Sequence, residues 1–298
     1  MGTNEDDFVE HLVSTSTHDT VLFFTNKGKV YKAKGYEIPE FSRTAKGIPI
    51  INLLQIEKGE WVNAVISVNE FTDTDYLFFT TKHGISKRTT LSQFANIRKG
   101  GLIAVGLRDE DELISVRLTD GAKDMMIATK NGYLIRFPED QIRSMGRTAA
   151  GVKGISLRED DEVVSMEILQ EDSKILHVTS KGYGKQTPEM EYRVTNRGGK
   201  GIFTCNLTDK TGHVVAVKAV SGEEDLMLIT VAGVLIRIPV QDISETGRNT
   251  MGVRLIRLQE EEEVATVARV DQDEDEEEID DETEVSETEE STEENTEE

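Results

Sequence analysis

Thr179-Ser-Lys-Gly-Tyr-Gly-Lys-Gln-Thr-Pro188 leads through Glu189-Met-Glu-Tyr-Arg-Val194 into Thr195-Asn-Arg-Gly-Gly-Lys-Gly201. Three features of this stretch recur along the chain. A Thr-x-x-Gly anchor occurs at Thr25/Gly28, Thr81/Gly84, Thr129/Gly132, Thr179/Gly182 and Thr230/Gly233, so successive anchor glycines lie 56, 48, 50 and 51 residues apart. An arginine follows each anchor glycine, 15 residues on at Arg43, Arg147, Arg197 and Arg248 and 14 on at Arg98. A second glycine closes the register at Gly47, Gly101, Gly151, Gly201 and Gly252. Self-similarity at a period near fifty residues marks a chain of stacked supersecondary units.

Each copy carries four strand-like runs. The first ends at the anchor threonine, as in Val21-Leu-Phe-Phe-Thr25 and Met125-Met-Ile-Ala-Thr129. β-Branched, aromatic and aliphatic residues bounded by Asn and Gly favour strand. The turns Asn26-Lys-Gly28 and Lys130-Asn-Gly132 supply the glycine that a tight hairpin needs. The second run alternates, as in Tyr133-Leu-Ile-Arg-Phe137, and stops at Pro138, Pro188 or Pro239, because proline cannot donate to a sheet ladder. A polar loop with the marker arginine follows. The third run is expected at Gly154-Ile-Ser-Leu157 and Arg254-Leu-Ile-Arg-Leu258, and the fourth follows an acidic turn, as in Glu162-Val-Val-Ser-Met166. Four short strands per fifty residues is the size of a propeller blade, and blades stacked around an axis bury both sheet faces. Asn4-Glu-Asp-Asp-Phe-Val9 resembles Arg158-Glu-Asp-Asp-Glu-Val163, so residues 1–17 read as the end of a further unit. The expectation is an all-β, six-bladed, propeller-like disc of four-stranded blades, closed or open, with a partial first blade.

The net charge of −23 is unevenly spread. Residues 271–298 hold 18 Asp and Glu and no Lys or Arg, which leaves −5 for residues 1–270. The C-terminal stretch has one Ile, one Val and no aromatic residue, so it reads as a disordered acidic tail beside a folded domain spanning 1–270. Such a tail acts as a solubility element or competes with a polyanion for a basic surface. One cysteine, Cys205, excludes an intramolecular disulfide and fits a reducing cytoplasm. No apolar stretch reaches bilayer length, and the longest, Leu226–Ile236, is halted by Arg237. No signal peptide and no membrane partner are expected.

The candidate binding residues are the marker-loop cations: Arg43 and Lys46, Arg98 and Lys99, Arg147 and Lys153, Arg197 and Lys200, Arg248 and Arg254. On equivalent blades they would recur around one rim and neutralise phosphates along a bent duplex, while neighbouring glycines let backbone N–H groups approach. The bland reading is ordinary solvated loop charge. Catalytic chemistry is not legible. The five histidines have no metal-ligand spacing, and Gly199-Lys200-Gly201 lacks the Ser/Thr and the earlier glycine of a P-loop.

Thr195-Asn-Arg-Gly-Gly-Lys-Gly201 resembles the Gln-Arg-Arg-Gly-Gly-Lys-Gly box of the DNA gyrase A family, matching at Arg197, Gly198, Gly199, Lys200 and Gly201. The runs 18–25, 146–154 and 252–258 are also similar to gyrase A of Gram-positive bacteria. The resemblance implies a C-terminal six-bladed β-pinwheel that wraps DNA on a basic rim and supports ATP-dependent negative supercoiling in the bacterial cytoplasm, at the nucleoid. It implies double-stranded DNA, the gyrase B protein and the rest of the gyrase A protein as partners in a heterotetramer. It places the full box upstream of residue 1, the cleavage tyrosine and the ATPase site on other parts of the complex, and the ATP and Mg2+ of the whole enzyme off this chain, which needs no cofactor of its own. The equivalent domain of topoisomerase IV and a protein-interaction propeller are the alternatives.

Overall fold

The structure is a computed structural model and describes residues 11, 13–42, 45, 47–259 and 262–271. The first copy supplies β1 (Thr20–Thr25), β2 (Lys29–Lys34) and β3 (Val62–Val68). The second supplies β4 (Tyr76–Thr81), β5 (Ile85–Thr90), β6 (Leu102–Ile103) and β7 (Leu113–Thr119). The third supplies β8 (Asp124–Thr129), β9 (Tyr133–Pro138), β10 (Val152–Lys153) and β11 (Val163–Leu169). The fourth supplies β12 (Lys174–Thr179), β13 (Tyr183–Pro188), β14 (Ile202–Phe203) and β15 (Val214–Val220). The fifth supplies β16 (Glu224–Thr230), β17 (Leu235–Pro239), β18 (Val253–Arg254) and β19 (Val264–Asp271).

Hairpin formation follows from the anchor. The Oγ1 atoms of Thr81, Thr129, Thr179 and Thr230 each accept a hydrogen bond from the amide four residues on, at 3.2 Å. That amide heads the second strand, so the threonine fastens the turn it precedes. The acidic turns are part of the same joint. Glu60 accepts from Thr25 Oγ1 at 2.6 Å and Asp111 from Thr81 Oγ1 at 2.6 Å, and both carboxylates are buried.

The sheets do not coincide with the copies. Their orders are β3-β1-β2-β6, β7-β4-β5-β10, β11-β8-β9-β14, β15-β12-β13-β18 and β19-β16-β17. Each two-residue third strand pairs with the hairpin of the preceding copy, for example Lys29↔Ile103 and Ile85↔Lys153. This corrects the expectation that a copy makes its own blade. It also moves the start of the third strand earlier, by two residues to Val152–Lys153 and by one to Val253–Arg254. The handover is sealed by backbone bonds into the anchor turn: Ala104, Gly154, Thr204 and Leu255 donate to the carbonyls of Gly28, Gly84, Gly132 and Gly182 at 2.8–2.9 Å. Gly84 shows why the anchor is glycine. Its φ is +79°, and a Cβ there would sit 2.8 Å from Ile155 of the incoming copy.

Among the described residues there are five sheets, four of four strands and one of three, in place of the six blades expected. The partial first blade assigned to 1–17 falls largely outside the described residues, and residues 11 and 13–17 form no strand. The tail from 272 onward also lies outside them.

Adjacent sheets pack face to face. Strand alternation sends Leu22 and Phe24 toward the second sheet, where Phe24 meets Phe79 edge-on with centroids 5.7 Å apart. Val21, Phe23 and Ala33 point the other way and are covered by Leu54, from the segment leading to β3. The innermost strands β3, β7, β11, β15 and β19 line a common axial cavity through Ala64, Ser115, Ser165, Lys218 and Val267. β6, β10, β14 and β18 are outermost. Among the described residues no helix is long and apolar enough to cross a membrane.

Candidate nucleic-acid interface

The handover decides where the marker loops go. To reach the preceding hairpin, each copy must run along the outer edge of its neighbour. The loop carrying the marker arginine is that run. The four described loops therefore sit at equivalent places on the perimeter, one per blade junction.

Two buried lysines hold two of them. Lys87, on β5, donates through Nζ to the carbonyls of Gly146 at 3.3 Å and of Arg147, and also to Ala104. Lys185, at the same register on β13, donates to Gly247 at 2.9 Å, Arg248 at 2.6 Å and Thr250 Oγ1 at 3.4 Å. Both lie in the sheet interior at 1% and 0% exposure. Burial, with the nearby Arg147 charge, pushes the Lys87 ammonium down to about 7. Burial likewise lowers Lys185 to about 8.

The sequence-predicted cations divide by what their side chains do. Arg43 and Lys46 lie outside the described residues. Arg98, Lys99, Lys153 and Lys200 are exposed. Arg254 is exposed too, and its Nη2 donates to the Tyr183 hydroxyl at 3.0 Å. Arg147, Arg197 and Arg248 are half-buried. Arg197 donates from Nε to Gln141 O at 3.0 Å and from Nη1 to Lys153 O at 3.1 Å. Arg248 repeats the second bond one copy later, from Nη1 to Phe203 O at 3.1 Å. The marker arginine thus stitches its loop to the outermost strand of the previous blade junction. Glu191 accepts from the Arg248 amide at 3.0 Å and lies 3.7 Å from its Nε. Among the described residues no carboxylate lies within ion-pair distance of Arg98, Lys99, Arg147, Lys153, Arg197, Lys200 or Arg254.

The loop glycines serve the fold as well as the surface. The amide of Gly198 donates to Gly154 O at 2.5 Å, and that of Gly101 to Arg98 O at 2.9 Å, so both are engaged inside the protein. The carbonyls of Gly198 and Gly199 accept from Ser156 Oγ and N, each at 2.8 Å. Gly201 lies flat on β9, with a Cβ position 2.8 Å from Leu134 O.

Sequence reasoning passed over several residues of this surface. Arg158 stacks over the Tyr133 ring at 3.3 Å and donates to Lys200 O at 2.6 Å. Tyr133 in turn meets Phe203 edge-on at 5.7 Å. Lys87 and Lys185 each stand three residues after an anchor glycine, so superposing the copies would have paired them.

A family model described as "DNA gyrase C-terminal domain, beta-propeller" matches residues 19–69, 75–120, 123–170, 173–221 and 224–271. The chain is 67% identical over 275 residues to the DNA gyrase A protein of Halalkalibacterium halodurans, covering 92% of this chain and 33% of that protein. It is 52% identical over 290 residues to the DNA gyrase A protein of Staphylococcus aureus, covering 96% and 33%. The chain spans about a third of the length of these curated relatives. Among solved structures, the C-terminal domain of DNA topoisomerase IV aligns with TM-score 0.79 and 28% identity over 86% of this chain and 80% of that one. The DNA gyrase A C-terminal domain aligns with TM-score 0.75 and 25% identity over 90% and 91%.

Proposed function

The chain belongs to the DNA gyrase C-terminal domain, beta-propeller family, and we propose that it binds double-stranded DNA along its outer edge as the C-terminal domain of a gyrase A protein. The observation that carries the reading is the placement of unpaired cations. Arg98, Lys99, Lys153, Lys200 and Arg254 are exposed at successive blade junctions, and none faces a carboxylate among the described residues. A duplex laid along this edge meets phosphate-neutralising side chains at regular intervals and follows the curvature of the disc. Smooth bending of a 20–30 bp site by 40–90° costs on the order of 1–6 kcal/mol, and counterion release from several phosphate contacts offsets it.

In the parent assembly the domain would wrap DNA and present a crossing segment for strand passage. Its partners are then the gyrase B protein and the remainder of the gyrase A protein, in the cytoplasm. ATP and Mg2+ are used elsewhere in that assembly. The marker loops, including Arg43, Lys46, Arg147, Arg197 to Gly201 and Arg248, form the contact surface, with the arginines at 197 and 248 acting chiefly to hold the loops in place. Residues 1–270 form the binding domain, and 271–298 act as an acidic tail that competes for the same edge.

The test is a topology assay. The chain is bound to nicked circular DNA, the nick is sealed, and the linking number is read against a protein-free control. A shift in linking number supports wrapping. Binding at low salt with no shift leaves DNA binding standing and removes wrapping by this chain. The similarity to the C-terminal domain of DNA topoisomerase IV, TM-score 0.79, keeps the equivalent domain of that enzyme as the alternative reading. Absence of binding at low salt removes both.

A further inference from the structure

Superposed on their outermost strands, the four described loops are of two kinds, and the kinds alternate around the disc. The third and fifth copies carry Arg147-Thr-Ala-Ala-Gly151 and Arg248-Asn-Thr-Met-Gly252, whereas the second and fourth carry the double-glycine forms Arg98-Lys-Gly-Gly101 and Arg197-Gly-Gly-Lys-Gly201. The supports differ in step. Lys87 and Lys185 grip the first kind through backbone carbonyls. At the same register, Tyr31 and Ile135 offer the second kind only apolar ring and methyl contact, to Gly101 and Gly199. Isolated parallel bridges, Arg88↔Ser144 and Gln186↔Glu245, also occur at the lysine-gripped loops.

The outward residue changes with them. The second residue of each outermost strand is Ile103, Lys153, Phe203 and Arg254 in turn. The first and third are large apolar side chains left 52% and 36% exposed. Their counterparts are exposed cations. An apolar group at a position that elsewhere carries an exposed cation gains nothing from water. Phe203 is braced by Tyr133 at 5.7 Å, itself capped by Arg158 at 3.3 Å, so the ring is held in place on a rigid ledge.

Resting on the DNA-binding reading above, we propose that the edge contacts DNA in a two-blade period: Lys153 and Arg254 hold phosphates, and Ile103 and Phe203 press into the minor groove at the intervening junctions. Apolar side chains against minor-groove sugars and base steps kink a duplex toward the major groove, whereas cations alone attract it without choosing where it bends. The bend is then set by the apolar positions and the salt dependence by the basic ones.

The experiment compares two double variants of this chain on one linear duplex, reading affinity across a salt series and bend angle by end-to-end energy transfer. Ile103→Ala with Phe203→Ala is expected to weaken binding about fivefold at every salt concentration. The slope of log affinity against log salt stays unchanged and the bend is reduced. Lys153→Ala with Arg254→Ala is expected to lower the slope by about 1.8, at roughly 0.9 per phosphate. Phe203→Leu keeps an apolar side chain and retains most of the bend, which separates lost contact from a damaged fold. Wild-type affinity and bend in the apolar double variant, with the basic double variant behaving as expected, overturn the inference and leave the DNA-binding reading intact. If neither double variant alters affinity or slope, the DNA-binding reading falls and the inference falls with it.

Discussion

Charges at the centre of the disc and charges at its edge are the same residue types put to opposite use. On the inner strands, Glu167 of β11 lies between Arg117 of β7 and Lys218 of β15, with contacts of 2.9 and 3.0 Å. Three consecutive blades are thereby joined through one carboxylate that is 13% exposed. Burial alone would raise its pKa, but the two cations outweigh that and hold it at about 2. On the outermost strands and loops, Lys99, Lys153 and Lys200 face solvent with no carboxylate partner among the described residues. A count of Lys and Arg does not separate the two populations. A carboxylate partner separates Arg117 and Lys218 from Lys99, Lys153 and Lys200, while Arg248, an edge residue beside Glu191, shares the inner trait.

Removing the inner carboxylate is the largest test of that difference. Glu167→Gln leaves Arg117 and Lys218 without their counter-charge and is expected to destabilise the fold by about 3–5 kcal/mol in urea unfolding. The salt slope of DNA binding should not move. The wild-type carboxylate, with its lowered pKa, contributes stability that is present above the ordinary carboxylate range and lost as pH falls from about 4.5 toward 2. The variant should lack that acid-limb loss.

Next in size is the joint between copies. Gly84→Ala forces a Cβ onto Ile155 at φ +79° and should cost about 1–3 kcal/mol in thermal unfolding. Gly47 has nothing within 4 Å among the described residues. Gly47→Ala should therefore cost less than Gly84→Ala, since only the backbone strain remains.

The Lys87 clamp gives an effect with a defined sign. Its folded-state pKa of about 7 lies below the ordinary lysine value of 10.5, so above pH 7 the unfolded chain binds more protons. Stability from this group should rise with pH between 7 and 10.5, by at most about 1.4 kcal/mol per pH unit. Comparing wild type with Lys87→Met across that range isolates the term, because the variant has no proton to release there.

The edge cations close the series. Lys99→Ala or Lys153→Ala should change stability by less than about 0.5 kcal/mol. Each should still lower the salt slope of DNA binding by roughly 0.9. A large stability loss in either would move that residue into the inner class.

Much of the fold was legible because its determinants are local. Thr179 and Gly182 shape one turn, and Pro188 ends one strand; each acts on its immediate neighbours. What could not be read is the identity of the partner strand. Val152-Lys153 carries two residues of strand character, and nothing in those side chains says that Ser86 and Ile85 receive them. The marker arginines were legible as positions but not as roles. Whether Arg197 faces a phosphate or Lys153 O depends on where the previous copy lays its backbone. Lys87 and Lys185 were hidden for the opposite reason. In an alternating strand a lysine reads as solvent-facing, and only the neighbouring loop's carbonyls make burial tolerable.

The handover of the short strand also bears on how such a chain can grow. The segment that repeats in the sequence is out of phase with the sheet that folds, so the unit of duplication is not the unit of structure. Adding or deleting one whole copy anywhere inside the array leaves every interior sheet complete, because each copy brings one strand to its predecessor and accepts one from its successor. A breakpoint placed between copies, where the chain looks most divisible, removes the outermost strand from the blade before it.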